Sequence, residues 1–139
     1  MATSIGQFAL GRERTPEGYI IYPPHEDSRY RKEHFIAEST QHPAKMACHF
    51  LEDLVDWVSI PGETILDPMS GTGTLMLATL RPDGPRKVVC IEDASVFHMM
   101  QQMSRELFMG RGVAEADILL LHGPCQEFMP FPCDHIIFS

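Results

Sequence analysis

Positive charge is scarce in this sequence of 139 residues: 11 Lys and Arg stand against 19 Asp and Glu, a formal net charge of -8. A broad basic face that grips nucleic acid is therefore not expected, because nonspecific affinity comes from Lys and Arg neutralising phosphates. The same balance leaves room for a site that takes a cationic ligand. No run approaches the ~20 apolar residues that a membrane helix needs, so no membrane partner is expected. The opening stretch MATSIGQFALGRERTPEG has no basic segment followed by an apolar one, which argues against export. Cys48, Cys90, Cys125 and Cys133 form no CxxC pair, so a reduced, cytoplasmic protein is the expectation. Internal repeats and low-complexity tracts are missing as well.

What is present suits one ordinary α/β domain. Hydrophobic content is 44%, typical of a globular chain. Residues 1–41 are rich in Pro, Gly and charge and read as an irregular N-terminal arm; residues 42–139 read as the domain proper. From Pro43 to Val58 the apolar residues Met46, Phe50, Leu54 and Trp57, with Leu51, Val55 and Val58, recur at helical spacing on one broad face, and Pro61 and Gly62 stop it. Strands and helices then alternate. ETILDP, KVVCIED, DILLLHG and CDHIIFS are strands; GTLMLATL and SVFHMMQQMSRELFMGRG are helices, the second with Ser95 as N-cap and Gly110 or Gly112 near its end. Apolar runs separated by helices predict a parallel sheet covered on both faces, and right-handed crossovers make it doubly wound.

The stretch ILDPMSGTG, Ile65 to Gly73, leads from the first strand into a glycine-rich turn. Three ligand classes use such a turn. A P-loop needs GK[ST], but Thr72, Gly73, Thr74 and Leu75 follow Gly71, with no lysine. The dinucleotide fingerprint needs a third glycine where Met76 stands, and Asp67 would repel a pyrophosphate. S-adenosylmethionine carries a sulfonium and an ammonium, so Asp67 at the strand end helps. Gly71 and Gly73 would let the backbone pass beneath it without Cβ clashes. The next strand ends in Ile91-Glu92-Asp93, where an acid accepts hydrogen bonds from ribose hydroxyls; Glu92 directly follows the apolar run. Either acid alone reads as an ordinary strand-end carboxylate. The two on successive strands, near strand C-termini, favour a ligand site.

At this point the sequence resembles the DNA amino-methyltransferases, which methylate an exocyclic base amine from S-adenosylmethionine. The matching pieces are His42-Pro43-Ala44-Lys45-Met46 and Asp67-Pro68-Met69-Ser70-Gly71-Thr72-Gly73-Thr74, and the likeness covers residues 42–139. The resemblance implies that His42, Pro43 and Lys45 help to bind the methionine part of the cofactor. It implies that Asp67, Pro68, Ser70, Gly71, Thr72, Gly73 and Thr74 form the loop beneath it, with Glu92 and Asp93 at the next strand end. The fold so implied is a Rossmann-like methyltransferase fold with strand order 3-2-1-4, incomplete, its later strands missing. Two departures matter. Gly123-Pro124 stands where family members often carry a Gly-Asp-like pair near the adenine. The catalytic motif, an acid, Asn or Ser followed by Pro-Pro and an aromatic residue, is represented only by Ser139 after DHIIF. A serine there resembles the cytosine-modifying members.

The function so implied is the S-adenosylmethionine-binding part of a site-specific DNA methyltransferase of restriction-modification type, with cytosine N4 slightly preferred over adenine N6. Double-stranded DNA would be held through regions mostly absent here, and a missing C-terminal half or a companion subunit would complete the enzyme. These residues alone are expected to bind cofactor weakly and transfer nothing. The apolar HIIF edge predicts self-association or a partner that extends the sheet. The alternatives are a non-catalytic methyltransferase-like scaffold, or a methyltransferase acting on RNA or a small molecule.

Other groups have blander readings. Tyr22-Pro23-Pro24-His25 lacks the flanking residues of a permuted catalytic motif and reads as a stiff turn. His122, Cys125, Cys133 and His135 lack zinc-ligand spacing, so no metal is expected. Met99, Met100, Met103 and Met109 read as core packing, Trp57 as buried, and Arg29, Tyr30, Arg31 and Lys32 as a solvated loop.

Overall fold

The four apolar runs become one parallel sheet in the computed structural model, which describes residues 8–42 and 45–138. The strands are β1 (Thr64–Asp67), β2 (Lys87–Glu92), β3 (Ile118–His122) and β4 (His135–Ile136), in the order β3-β2-β1-β4. Every pairing is parallel. The chain steps outward from β1 through β2 to β3 and then returns to the other side of β1. That reversal opens a crevice at the strand C-termini, where α/β sheets take ligands. With its flanking helices this is an α/β, Rossmann-like arrangement, as the sequence leads one to expect.

The period of two along a strand sorts side chains between two cores. Ile65, Val88 and Cys90 point to one face and pack with Leu51 and Val55 of α2 (Cys48–Val58), Phe108 of α3 (Ser95–Gly110), Phe35 and the segment Leu75 to Ala78. Leu66, Val89 and Ile91 point to the other face, where Leu121, Cys125, Phe128, Met129, Phe131 and Cys133 cover them. The second face is thus covered by the β3–β4 connection rather than by a long helix, and Leu119 on β3 stays exposed. The segment Thr74–Leu80 is a 3₁₀ helix, buried almost throughout, and Thr79 Oγ donates to the Met76 carbonyl at 2.7 Å, a three-residue step that fits the tighter turn.

Part of residues 8–41, read from the sequence within an irregular arm of residues 1–41, forms helix. Pro23 and Pro24 open a helix, α1 (Pro24–His34), with Pro at its first position, where the missing N–H costs nothing. Glu26 and Asp27 lie in its first turn and Arg31, Lys32 and His34 in its last, matching the helix dipole. A 3₁₀ turn, Ala37–Gln41, follows. Arg31 is fully buried rather than solvated, and Phe35 enters the main core. Arg12 and Tyr22 both bind the Asp53 carboxylate, at 2.9 and 2.7 Å, and Phe8 packs against Trp57 at 5.1 Å between ring centroids. Trp57 is partly rather than fully buried. The Asp27 carboxylate accepts from the Cys48 N–H, capping α2, which has no side-chain cap of its own at Ala47.

Two smaller differences follow from local geometry. Ser95 is the first helical residue of α3, and Ala94 holds the cap position. Met99 and Met103 lie on the outer face of α3 and are exposed, not core. Among the described residues no helix is long and apolar enough to cross a membrane.

Candidate functional site

The site is built from an offset between strands. Asp67, the last residue of β1, is level with Cys90, while β2 continues to Glu92. The turn after β1 therefore folds back along the stretch of β2 that β1 leaves unpaired, Ile91 and Glu92, whose other side is paired with β3. Ser70 donates to the Ile91 carbonyl through both its backbone N–H and its hydroxyl, each at 2.9 Å. Gly71 N–H then donates to Glu92 Oε1 at 2.7 Å, and Ala94 N–H to Glu92 Oε2 at 2.8 Å. The Glu92 carbonyl accepts from Gly123 N–H at 3.0 Å. One residue thus ties together the turns after β1, β2 and β3. A carboxylate offers about four acceptor sites, and the two loop contacts leave the remaining lone pairs for a ligand.

Gly71 and Gly73 hold left-handed backbone, at φ 57° and 86°. A Cβ on Gly71 would sit 3.2 Å from His42 Nε2, and one on Gly73 would meet the Met76 methyl at 2.5 Å. The glycines therefore serve a close approach of the turn to its neighbours as well as its conformation. Gln101 of α3 holds the turn from beneath. Its amide nitrogen donates to Ser70 Oγ at 2.7 Å and to the Gly71 carbonyl at 2.6 Å. Because Gly71 O can only accept, the amide orientation follows from the contacts.

The segment Lys45–Ala47 is fixed to the turn by the buried Arg31, which donates to Thr74 Oγ at 3.0 Å and to the Met46 carbonyl at 2.6 Å. His42 packs on Phe97 at 4.4 Å between ring centroids, and Lys45 Nζ donates to the His42 carbonyl at 3.0 Å.

Two clefts open over this framework. The first, about 180 Å³, is lined by His42, Lys45, Met69, Ser70, Gly71, Thr72, Thr74 and Glu92. The second, about 270 Å³, is lined by Pro68, Met69, Glu92, Asp93, Gly123, Pro124, Cys125 and Gln126. They share Met69 and Glu92 on their walls, so they lie side by side as two lobes along the strand C-termini. Thr72 Oγ is buried and has no hydrogen-bond partner among the described residues, and Thr72 is on the wall of the first lobe. A buried hydroxyl without a partner is costly, and a polar ligand group would supply one. A further cleft of about 330 Å³ lies away from these turns, between α3 and β3.

Most residues singled out from the sequence converge here: His42, Lys45, Ser70, Gly71, Thr72, Thr74 and Glu92 on the first lobe, Pro68, Glu92 and Asp93 on the second. Gly73 lies underneath. Asp67 does not reach the groove as expected. It is fully buried, and its Oδ1 accepts from the Met69 N–H at 3.0 Å, so it braces the turn from inside. Its negative charge, after burial itself, pushes the neighbouring Cys90 thiol far above the usual range, which leaves that cysteine inert. Pro43, Ala44 and Ser139 lie outside the described residues.

Sequence reasoning missed Gln101, Arg31 and Met69. Gln101 had a signal: Phe97, Gln101, Ser104 and Phe108 recur at helical spacing, which puts a polar amide on the buried stripe of α3. Arg31 and Met69 had none. Among the described residues no group of three or more His, Cys, Asp or Glu side chains converges as metal ligands would. No protein-family model matches the chain, and no curated protein matches it at a significant level.

Proposed function

We propose that this chain binds S-adenosylmethionine in the two-lobed groove, as the cofactor-binding part of a DNA methyltransferase that modifies an exocyclic base amine. The observation that carries the reading is the groove itself: two adjacent lobes that share Glu92 and Met69, over a glycine turn, at the C-termini of parallel strands. Its donor set suits an elongated ligand with an amino-acid end and a nucleoside end. Lys45 and the unpartnered Thr72 hydroxyl in the first lobe suit a carboxylate and an ammonium. Glu92, which both lobes share, has acceptor capacity for vicinal hydroxyls. The apolar flank from Pro68, Met69 and Pro124 suits a flat ring in the second.

When bound, S-adenosylmethionine would supply an electrophilic methyl group on a sulfonium. The protein's own contribution is electrostatic and positional. Glu92 gives the groove a negative charge on its wall, Asp67 braces the turn from inside, and the turn pinned by Gln101, Ser70 and Glu92 is fixed in advance. The specific acceptor, a base amine in DNA, rests on the resemblance of the His42 to Met46 and Asp67 to Thr74 segments to that family.

Isothermal titration calorimetry with S-adenosylmethionine tests the binding step. Binding is expected for the native chain, and Glu92→Ala is expected to weaken it by ~1–3 kcal/mol, the range for hydrogen bonds to a charged group. Absence of heat with a correctly folded native chain would remove the reading.

A further inference from the structure

The outer face of α3 carries an apolar stripe that nothing among the described residues covers. Val96, Met99, Met103 and Leu107 are 54%, 58%, 50% and 45% exposed. Their spacing keeps close to the helical period of about 3.6, so they form a nearly straight seam about 16 Å long at about 1.5 Å per residue. Isolated exposed apolar residues are ordinary; four in line on one helix are not.

We propose that two copies of this chain associate through α3, packed antiparallel about a twofold axis. The stripe is its own complement in that arrangement. Reversed, Val96 faces Leu107 of the second copy and Met99 faces Met103, and the same contacts recur on the other side of the axis, as an isologous interface requires. Charge agrees with this direction. Glu106 borders the stripe near the C-terminal end of α3, and antiparallel packing brings it beside the first turn of the other α3, whose free N–H groups carry partial positive charge. Parallel packing would instead set Glu106 against Glu106 and Asp93 against Asp93. The cleft between α3 and β3, lined in part by Gln102, Glu106 and the exposed Leu119, flanks the stripe and extends the surface. Four half-exposed side chains cover less than the ~800 Å² per partner of a standard interface. The association is therefore weak and concentration-dependent, and the thioethers suit a contact that tolerates small shifts.

Sedimentation equilibrium from micromolar to millimolar protein tests it. The native chain is expected to pass from monomer to dimer over that range. Met103→Asp, an exposed position where circular dichroism should show an unchanged fold, is expected to weaken the dimer by about tenfold or more, as loss of a central contact does. The double variant Val96→Cys with Leu107→Cys is expected to yield a covalent dimer under mild oxidation, while the native chain, treated alike, yields none. Its two new thiols lie too far apart on one helix to pair within a molecule. A monomer at every concentration would overturn the proposal. So would a dimer indifferent to Met103→Asp, which would shift the contact to the β4 edge, where Ile136 and Phe138 are exposed.

Discussion

Gln101 carries more of the site than its composition suggests. It is fully buried on α3, both of its N–H donors are used by the glycine turn, and its Oε1 has no partner among the described residues. Replacing it with alanine removes both bonds and leaves the Gly71 carbonyl without that donor. Gln101→Ala is expected to lower unfolding stability by ~1–3 kcal/mol in urea titrations, the cost of leaving buried polar groups unpaired. Gln101→Glu separates shape from chemistry. It keeps the volume but points an acceptor at the Gly71 carbonyl and is expected to destabilise at least as much. If Gln101→Ala unfolded at the native urea midpoint, the turn would be held by Ser70 and Glu92 alone.

The strands were legible because a buried parallel strand is a short unbroken apolar run, and Val88 to Ile91 or Ile118 to Leu121 look like little else. The glycine turn was legible for a similar reason: Gly71 and Gly73 stand where only a residue without Cβ fits. α1 was not legible by hydrophobic pattern, because its buried residues are Arg31 and His34, which count as polar in any periodicity. Its real signals were electrostatic, Pro-Pro followed by acids and then by bases. Asp67 misled in the opposite direction. A strand-end acid looks available to a ligand, yet the Met69 N–H folds over it and closes it inside.

The consequence of α1 is larger than one helix. Arg31 joins the 45–47 segment to Thr74, Asp27 caps α2, and Phe35 fills the main core. The residues read from sequence as an arm therefore brace the groove from behind, although none of them lines it. Deleting residues 1–41 is expected to abolish cooperative thermal unfolding rather than yield a smaller intact domain. Phe35→Ala offers the graded version, with an expected loss of ~3–5 kcal/mol for a buried aromatic truncation. A deletion product that melted cooperatively near the native temperature would return α1 to the status of an appendage.

For the whole molecule, charge sets two opposing trends with pH. At neutrality the formal charge of -8 repels itself, and acidification toward neutral net charge relieves that repulsion. His98 works against this. Burial first, and the neighbouring His122 second, hold its imidazole below the ordinary range. The two rings stack at 4.6 Å, and His98 Nδ1 is buried with no hydrogen-bond partner among the described residues. With the folded value lowered, the native state binds fewer protons than the unfolded chain. The neutral form's contribution is full above about pH 6.5, the ordinary imidazole value, and is lost as pH falls through the lowered native value. The native melting temperature should therefore gain little, or fall, between pH 7.5 and 5.5 as the two trends offset. His98→Asn removes the second trend and keeps the first. Its melting temperature is expected to change more favourably on acidification than that of the native chain, measured by circular dichroism in matched buffers. Parallel curves for the two proteins would show that the stacked pair does not govern the acid limb, and would place that limb on carboxylates such as Asp83, whose bond to Arg86 holds it below its usual value.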